Sequence, residues 1–283
     1  MDRRTLLKGL VVGTAIASSQ NALAANNALA RVARQGNVRI TTGKKYLAKI
    51  INFNQHFSED IILTGDKFEL LSLVVRRLTR LRSYVGYGNF SLLGFDQARV
   101  YARRFSKIGA FSKQEERFLE EIFYTQASDY GFYGTKVTDS LTYTVKQSDI
   151  TKISGTGNYL FRDASLKLYE KIRKDVGDSI FLTSGVRGVV KQMHLFLAKA
   201  LHSQGNLSMA SRSLAPPGYS FHANGDFDVG KVGYGMRNFT DDFAQTEEYK
   251  HLRELNYVQI RYHKNNPYGV RYEPWHVKVN RLT

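Results

Sequence analysis

The sequence predicts an α+β fold: a small antiparallel sheet with flanking helices, preceded by a mainly helical N-terminal region. Three observations carry that reading. Apolar residues recur at helical spacing in the first half of the chain, and two alternating runs near the C-terminus read as a hairpin. Between them, helices and strands succeed one another without the regular alternation of a doubly wound parallel sheet. A chain of 283 residues with 42% apolar content also has enough material to bury a sizeable core.

The first residues, MDRRTLLKGLVVGTAIASSQNALA, pair Arg3 with Arg4, continue in a short apolar run and end in Ala22-Leu23-Ala24, the small-x-small pattern of a signal-peptidase site. RRTLLK resembles the bacterial twin-arginine export signal. Residues 1–24 are therefore expected to be a removed signal peptide, and the mature protein to be periplasmic or otherwise extracytoplasmic. The apolar run is too short, and too rich in Gly and Thr, to span a bilayer, so no stable membrane span is expected after cleavage. From 25 to about 43 no period is visible, as in a loose arm.

KFELLSLVVRRLTRL, 67–81, places Phe68, Leu71, Val74, Val75 and Leu78 on one helical face. A second helix starts at Ser112, where SKQE reads as a capping box with Glu115, followed by the stripe Phe118, Leu119, Ile122 and Phe123. The stretch 128–145 is rich in Gly, Tyr and Thr and reads as loop with some strand. It is the expected joint between a helical region at 25–145 and a second domain at 146–283. In that second domain the pattern gives a helix at about 164–175 stopped by Gly177, a strand IFLTSGV, and a helix at 188–202 stopped by Gly205. A helix around 241–255 follows, and then the runs YVQIRYH and VRYEPWHVKV joined by KNNPYG.

The balance of 41 Lys+Arg against 25 Asp+Glu gives a net charge of +16. Loss of three basic residues and one acidic residue with the signal leaves +14. Such a charge favours polyanions. Nucleic acid is not expected, because the cations are scattered apart from RRLTRLR at 76–82, which at helical spacing is a solvated face. An anionic cell-wall polymer stays open as a partner. The chain has no cysteine, which excludes disulfides and confines any metal site to His, Asp and Glu.

YSFHANGDFDVG, 219–230, sets His222 six positions before Asp228. Alone it is an ordinary chain reversal around Asn-Gly-Asp. The run EPWH near the C-terminus changes its weight. Glu273 and His276 would point to opposite faces of a regular strand, but Pro274 cannot donate to a ladder and breaks the parity, so both side chains can address one cavity. A catalytic zinc takes three protein ligands and leaves one position open. His222, Asp228 and His276 supply such a set, with Asp226 as a rival ligand. Glu273 stays uncoordinated, free to take a proton from the attacking water and pass it to a leaving amine. His56, His194, His202 and His251 read as structural or surface residues, and His263, near the expected site, stays open between a surface and a supporting role.

Three segments, TSGVRGVVKQ, PPGYSFHANGDFDVG and RYEPWH, together resemble the zinc D-alanyl-D-alanine carboxypeptidases that trim peptidoglycan stem peptides, within the lysostaphin/hedgehog-like peptidase superfamily. The resemblance covers roughly 179–279. It implies one zinc ion on His222, Asp228 and His276, with Glu273 as the base. It also implies that Arg187 binds substrate and stabilises the transition state, that Gln192 contacts substrate, and that Ser220 touches the terminal carboxylate. Two departures stand out. The family usually has seven positions from the first histidine to the aspartate, against six here. It often has an aromatic before the arginine and a serine after it, where this chain has Val186 and Gly188.

The expected function is therefore that of a zinc peptidase acting on D-amino-acid-containing peptidoglycan stem peptides, foremost a D-alanyl-D-alanine carboxypeptidase. A cross-link endopeptidase is the alternative within that class. A non-catalytic wall-binding protein that relies on its +14 charge is the alternative outside it. Retention of Glu273 favours an enzyme, because a binding module has no use for an unligated carboxylate beside its metal.

Overall fold

The computed structural model describes residues 43–280. The expected signal peptide and most of the arm after it lie outside the described residues. The first half is helical: α1 (Gly43–Ile51), α2 (Gly65–Val85), the single turn α3 (Tyr87–Phe90), α4 (Phe95–Arg104) and α5 (Lys113–Tyr124). The expected stripe of α2 is buried at Leu71, Val74, Val75 and Leu78, and Leu81 extends it. The start of α5 is the expected capping box. Ser112 Oγ accepts from Glu115 N at 3.2 Å, and Glu115 Oε2 accepts from Ser112 N at 2.7 Å, which satisfies two amides at the helix end.

The stretch 128–145 is a 3-10 turn at Ala127–Tyr130 followed by loop, with no strand among its described residues, so the expected strand content there is absent. The second half begins with a two-stranded sheet, β1 (Ile150–Lys152) and β2 (Tyr159–Phe161), and continues through α6 (Ala164–Val176), β3 (Ile180–Ser184), α7 (Val189–His202) and α8 (Leu207–Ser211). β4 (Phe227–Lys231), α9 (Glu247–Glu254), β5 (Gln259–Ile260) and β6 (His276–Lys278) complete it. Four strands form one antiparallel sheet in the order β3-β4-β6-β5. The fold is α+β.

Two expected elements are shorter than their patterns. The helix around 241–255 is divided into a 3-10 turn, Asp241–Gln245, and α9, because Thr246 Oγ1 accepts from Tyr249 N at 3.2 Å and starts a new helix. In the closing hairpin, only His276–Lys278 of VRYEPWHVKV is strand. Pro274 and Trp275 lie in a tight turn closed by His276 N–H on the Glu273 carbonyl at 3.1 Å. Proline cannot donate to a ladder, so pairing starts only after it.

The described residues from Lys44 onward form one compact unit with two main cores. In the first, Leu71 and Leu78 of α2 and Phe123 of α5 pack with Phe196 and Leu197 of α7, so the helices ahead of 145 share a core with the helix that follows the SGVRG loop. In the second, Ile180, Leu182, Phe227, Val229 and Val277 of the sheet pack with Tyr169 and Ile172 of α6 and Leu252 of α9. That face of β4 belongs to Phe227 and Val229. Strand parity therefore turns Asp228, between them, to the opposite face.

Candidate metal centre

The sheet register assembles the site. Asp228 pairs with His276 across β4 and β6, and with Ser184 across β3 and β4. Side chains at paired positions share a face, so these three residues form a row opposite the core. One extra residue in β3 between Leu182 and Ser184 shifts the register there and directs the SGVRG loop over this face. His222 arrives from the short 3-10 turn Phe221–Asn224, which ends at Gly225 with φ +106°, a left-handed conformation open to glycine. The six-residue spacing therefore closes: His222 Nε2 stands 3.3 Å from Asp228 Oδ2.

Hydrogen bonds fix both imidazoles. His222 Nδ1 lies 2.9 Å from the Gly185 carbonyl, which can only accept, so Nδ1 carries the proton and Nε2 is left with its lone pair. His276 Nε2 lies 2.9 Å from Asp226 Oδ2, which leaves Nδ1 as the free nitrogen, 3.2 Å from Asp228 Oδ1. The ligand atoms of His222, Asp228 and His276 all lie within 4.8 Å of one another, and all three residues are buried. Asp228 Oδ1 is a buried carboxylate oxygen with no aligned hydrogen-bond donor. The lone pair of His222 Nε2, the inward-facing Nδ1 of His276, which gives up its proton to a bound cation, and a carboxylate with an orphaned oxygen converge on one point and fit a zinc ion.

Asp226, the rival ligand, stands on the far side of the His276 ring. It is held by the Arg261 guanidinium, with Nη2 to Oδ1 at 2.8 Å, and by Val279 N at 2.9 Å. Its place is that of the carboxylate which orients a metal-binding histidine. His263 is exposed, which settles it as a surface residue, and the side chain of that run which reaches the site is Arg261, two positions earlier. Tyr262 packs edge-on against His276, with centroids 4.8 Å apart.

Glu273 lies beside the set, with Oε2 3.6 Å from His276 Nδ1. Burial pushes its carboxyl up to about 7. His222 is pushed down to about 4 by burial and then by the charge of Arg187. Burial works against charge on His276 too, but the hydrogen bonds and charges of Asp226 and Asp228 outweigh it and raise the ring to about 9. Burial opposes ionisation of Asp228, yet the His222 and His276 imidazoles hold its carboxyl well below the usual range.

Arg187 donates through Nη2 to Ser184 Oγ at 2.9 Å and Asp228 Oδ2 at 3.3 Å, and through Nη1 to Gln192 Oε1 at 3.2 Å. Its buried Nε has no partner. Gln192 donates onward to the Ala215 carbonyl, so its amide holds Arg187 in place. Ser220, Arg187, Glu273, His222, Asp228 and His276 line one cavity of about 560 Å³. Arg82, Lys191, Lys199 and Arg271 line it as well, which makes the ionic character of its wall mainly cationic. Sequence reasoning missed Asp226 and Arg261 as orienting groups, and Lys191. Parity in YVQIRYH places Arg261 on one face, but nothing local marks that face as the one behind His276.

Residues 161–280 match the family described as VanY: D-alanyl-D-alanine carboxypeptidase. Among solved structures, a mutant of the vancomycin-resistance D,D-pentapeptidase VanY from a VanB-type resistance cassette, in complex with Zn(II), is 20% identical with a TM-score of 0.36, over 52% of this chain and 85% of that one. The LdcB LD-carboxypeptidase is 24% identical with a TM-score of 0.37, over 52% of this chain and 69% of that one. VanYB in complex with D-Alanine-D-Alanine is 22% identical with a TM-score of 0.36, over 50% and 81%. No curated protein matches the chain.

Proposed function

We propose that this chain, whose residues 161–280 match the VanY D-alanyl-D-alanine carboxypeptidase family, is a zinc peptidase that removes the terminal D-alanine from peptidoglycan stem peptides. The observation that carries the reading is the convergence of His222, Asp228 and His276 within 4.8 Å, with Glu273 beside them and outside the ligand set. His222, Asp228 and His276 would hold the metal. A zinc ion there supplies Lewis acidity to the scissile carbonyl and the attacking water.

The protein's own groups do the rest. Glu273, poised near neutrality by burial, takes a proton from the water and delivers it to the leaving amine. Arg187, anchored by Ser184, Gln192 and Asp228, presents fixed positive charge where the carbonyl oxygen becomes anionic. Ser220, on the wall of the same cavity, offers a hydroxyl to the peptide terminus. Asp226 and Arg261 keep the His276 ring turned so that Nδ1 faces inward. In this reading the described helices ahead of 145 buttress the catalytic part that follows, and residues 1–24 direct export. No described helix is long and apolar enough to cross a membrane.

The test is product analysis by mass spectrometry on a stem pentapeptide ending in D-Ala-D-Ala. Loss of a single D-alanine, abolished by chelation and restored by zinc, is the expected result. Cleavage confined to cross-linked dimers would make the protein an endopeptidase. Stoichiometric zinc without any cleavage would leave a wall-binding role for the cationic surface. Replacing Arg3 and Arg4 by Lys should hold the precursor in the cytoplasm, and unchanged export would point to another route.

A further inference from the structure

Lys191 sits in the first turn of α7, four positions after Arg187, and is only 4% exposed although its side chain lines the cavity of the metal centre. Its ammonium donates to Ser91 Oγ at 2.9 Å and lies 4.3 Å from the centre of the Tyr87 ring. No carboxylate pairs with it among the described residues. Burial, and then the neighbouring charge of Arg187, push it down to about 7. A buried ammonium with one hydroxyl and one ring face as partners keeps donors unused, and such a charge is costly unless an anion meets it. Arg187 next to it also has a buried, unpartnered Nε. Two neighbouring cations with unused donors thus line the same cavity.

Tyr87 and Ser91 come from the helical region, outside the matched residues 161–280. They are fastened to the catalytic part by the backbone: Gly188 N–H donates to the Ser91 carbonyl at 2.7 Å. An added Cβ at Gly188 would stand 3.0 Å from that oxygen and 3.2 Å from the Leu93 carbonyl. Glycine after Arg187, one of the two departures from the family pattern, is thus the residue that lets segment 91–93 approach.

We infer that Lys191, held by Ser91 and Tyr87, recognises the free carboxylate at the end of the peptide, and that the N-terminal helices complete the pocket in which it does so. The inference rests on the peptidase reading and adds a specificity determinant to it. A peptide that continues past this point carries an uncharged amide there and leaves Lys191 without a counter-charge. The pocket therefore selects chain ends over cross-links.

The experiment compares two peptides of one sequence, one ending in a free carboxylate and the other in a primary amide, on wild-type protein, Lys191→Met and Ser91→Ala. Binding is followed by calorimetry and turnover by mass spectrometry. Wild-type protein should prefer the acid by at least ~10-fold in Kd, the range of a charge-assisted hydrogen bond. Lys191→Met should erase that preference, mainly through KM, and lower kcat/KM for the acid by much more than for the amide. Ser91→Ala should reduce the preference in part, and it decides the matter if Lys191→Met does not fold. Equal binding of the two peptides by wild-type protein, or a preference that survives both substitutions, would overturn the inference. So would an equal loss on both peptides, which marks a structural role. If wild-type protein cleaves neither peptide but still binds the acid through Lys191, the proposed reaction fails while the subsite stands.

Discussion

Asp228 and His276 face each other across adjacent strands, with Oδ1 and Nδ1 3.2 Å apart, and the same register pairs Phe227 with Val277 in the core behind them. One alternation thus serves two ends. Odd-numbered positions of β4 bury Phe227 and Val229, while the even-numbered Asp228 turns to the site. A slip of one residue would drive Asp228 into the apolar core, so the hydrophobic pattern that folds the sheet also fixes the ligand set.

Metal content should separate ligands from supports. His222→Ala, Asp228→Asn and His276→Ala should each abolish stoichiometric zinc. Asp226→Asn should keep the site but weaken it by ~10- to 100-fold, the usual effect of removing the partner that orients a histidine ligand. Zinc titration against a competing chelator measures both. Full loss of metal in Asp226→Asn together with retention in Asp228→Asn would exchange the two roles.

Glu273→Gln tests the chemistry. The amide keeps the volume but cannot accept the proton, so turnover should fall by ~10² to 10⁴-fold while zinc content and thermal stability stay near wild type. Near-normal release of D-alanine would place the base elsewhere.

Much of the fold was legible because its signals are local or follow known parity. The stripe of α2, the capping box at Ser112 and the stop at Gly177 depend on neighbours within a few turns, and they appear where the pattern puts them. Pro274 signalled the break that brings Glu273 near His276, although the device is a tight turn rather than a bulged strand. What escaped was long-range. Lys191 meets Ser91 one hundred positions away, and Asp226 meets Arg261 across 35 positions. No periodicity reports contacts of that separation. The reason for Gly188 was hidden likewise, because its cause is a backbone segment from the other half of the chain.

The acidic limb of the pH profile should belong to Glu273. A general base acts only when deprotonated, so kcat/KM should rise with pH through the pKa of Glu273. Burial places that carboxyl at about 7 in the metal-free site, and a bound cation favours the charged form and moves the limb lower. The limb should therefore lie at or below about pH 7 and disappear in Glu273→Gln. A rate that falls as the pH is raised from about 5 to 7 would contradict a deprotonated base.

Gly188 stands where segment 91–93 seats against the start of α7. Its φ is −70°, which any residue adopts, so the requirement for glycine is one of space and not of backbone conformation. The two atoms a Cβ would crowd are the backbone carbonyl oxygens of Ser91 and Leu93, which cannot swing aside as a side chain would. Gly188→Ala must then push segment 91–93 away from α7 and strain the 2.7 Å hydrogen bond between Gly188 N and Ser91 O. Overpacking of this kind costs about 1–3 kcal/mol. In a domain of this size each kcal/mol lowers Tm by roughly 2–4 °C, so calorimetry should detect the loss. The metal ligands stand on β4, β6 and the turn at His222, away from the contact, and zinc content should be unchanged. Displacement of Ser91 should loosen its hold on Lys191, so KM for a free-acid peptide should rise more than kcat falls. If Gly188→Ala is as stable as wild type and keeps its KM, the helical region does not seat against the SGVRG loop in this way.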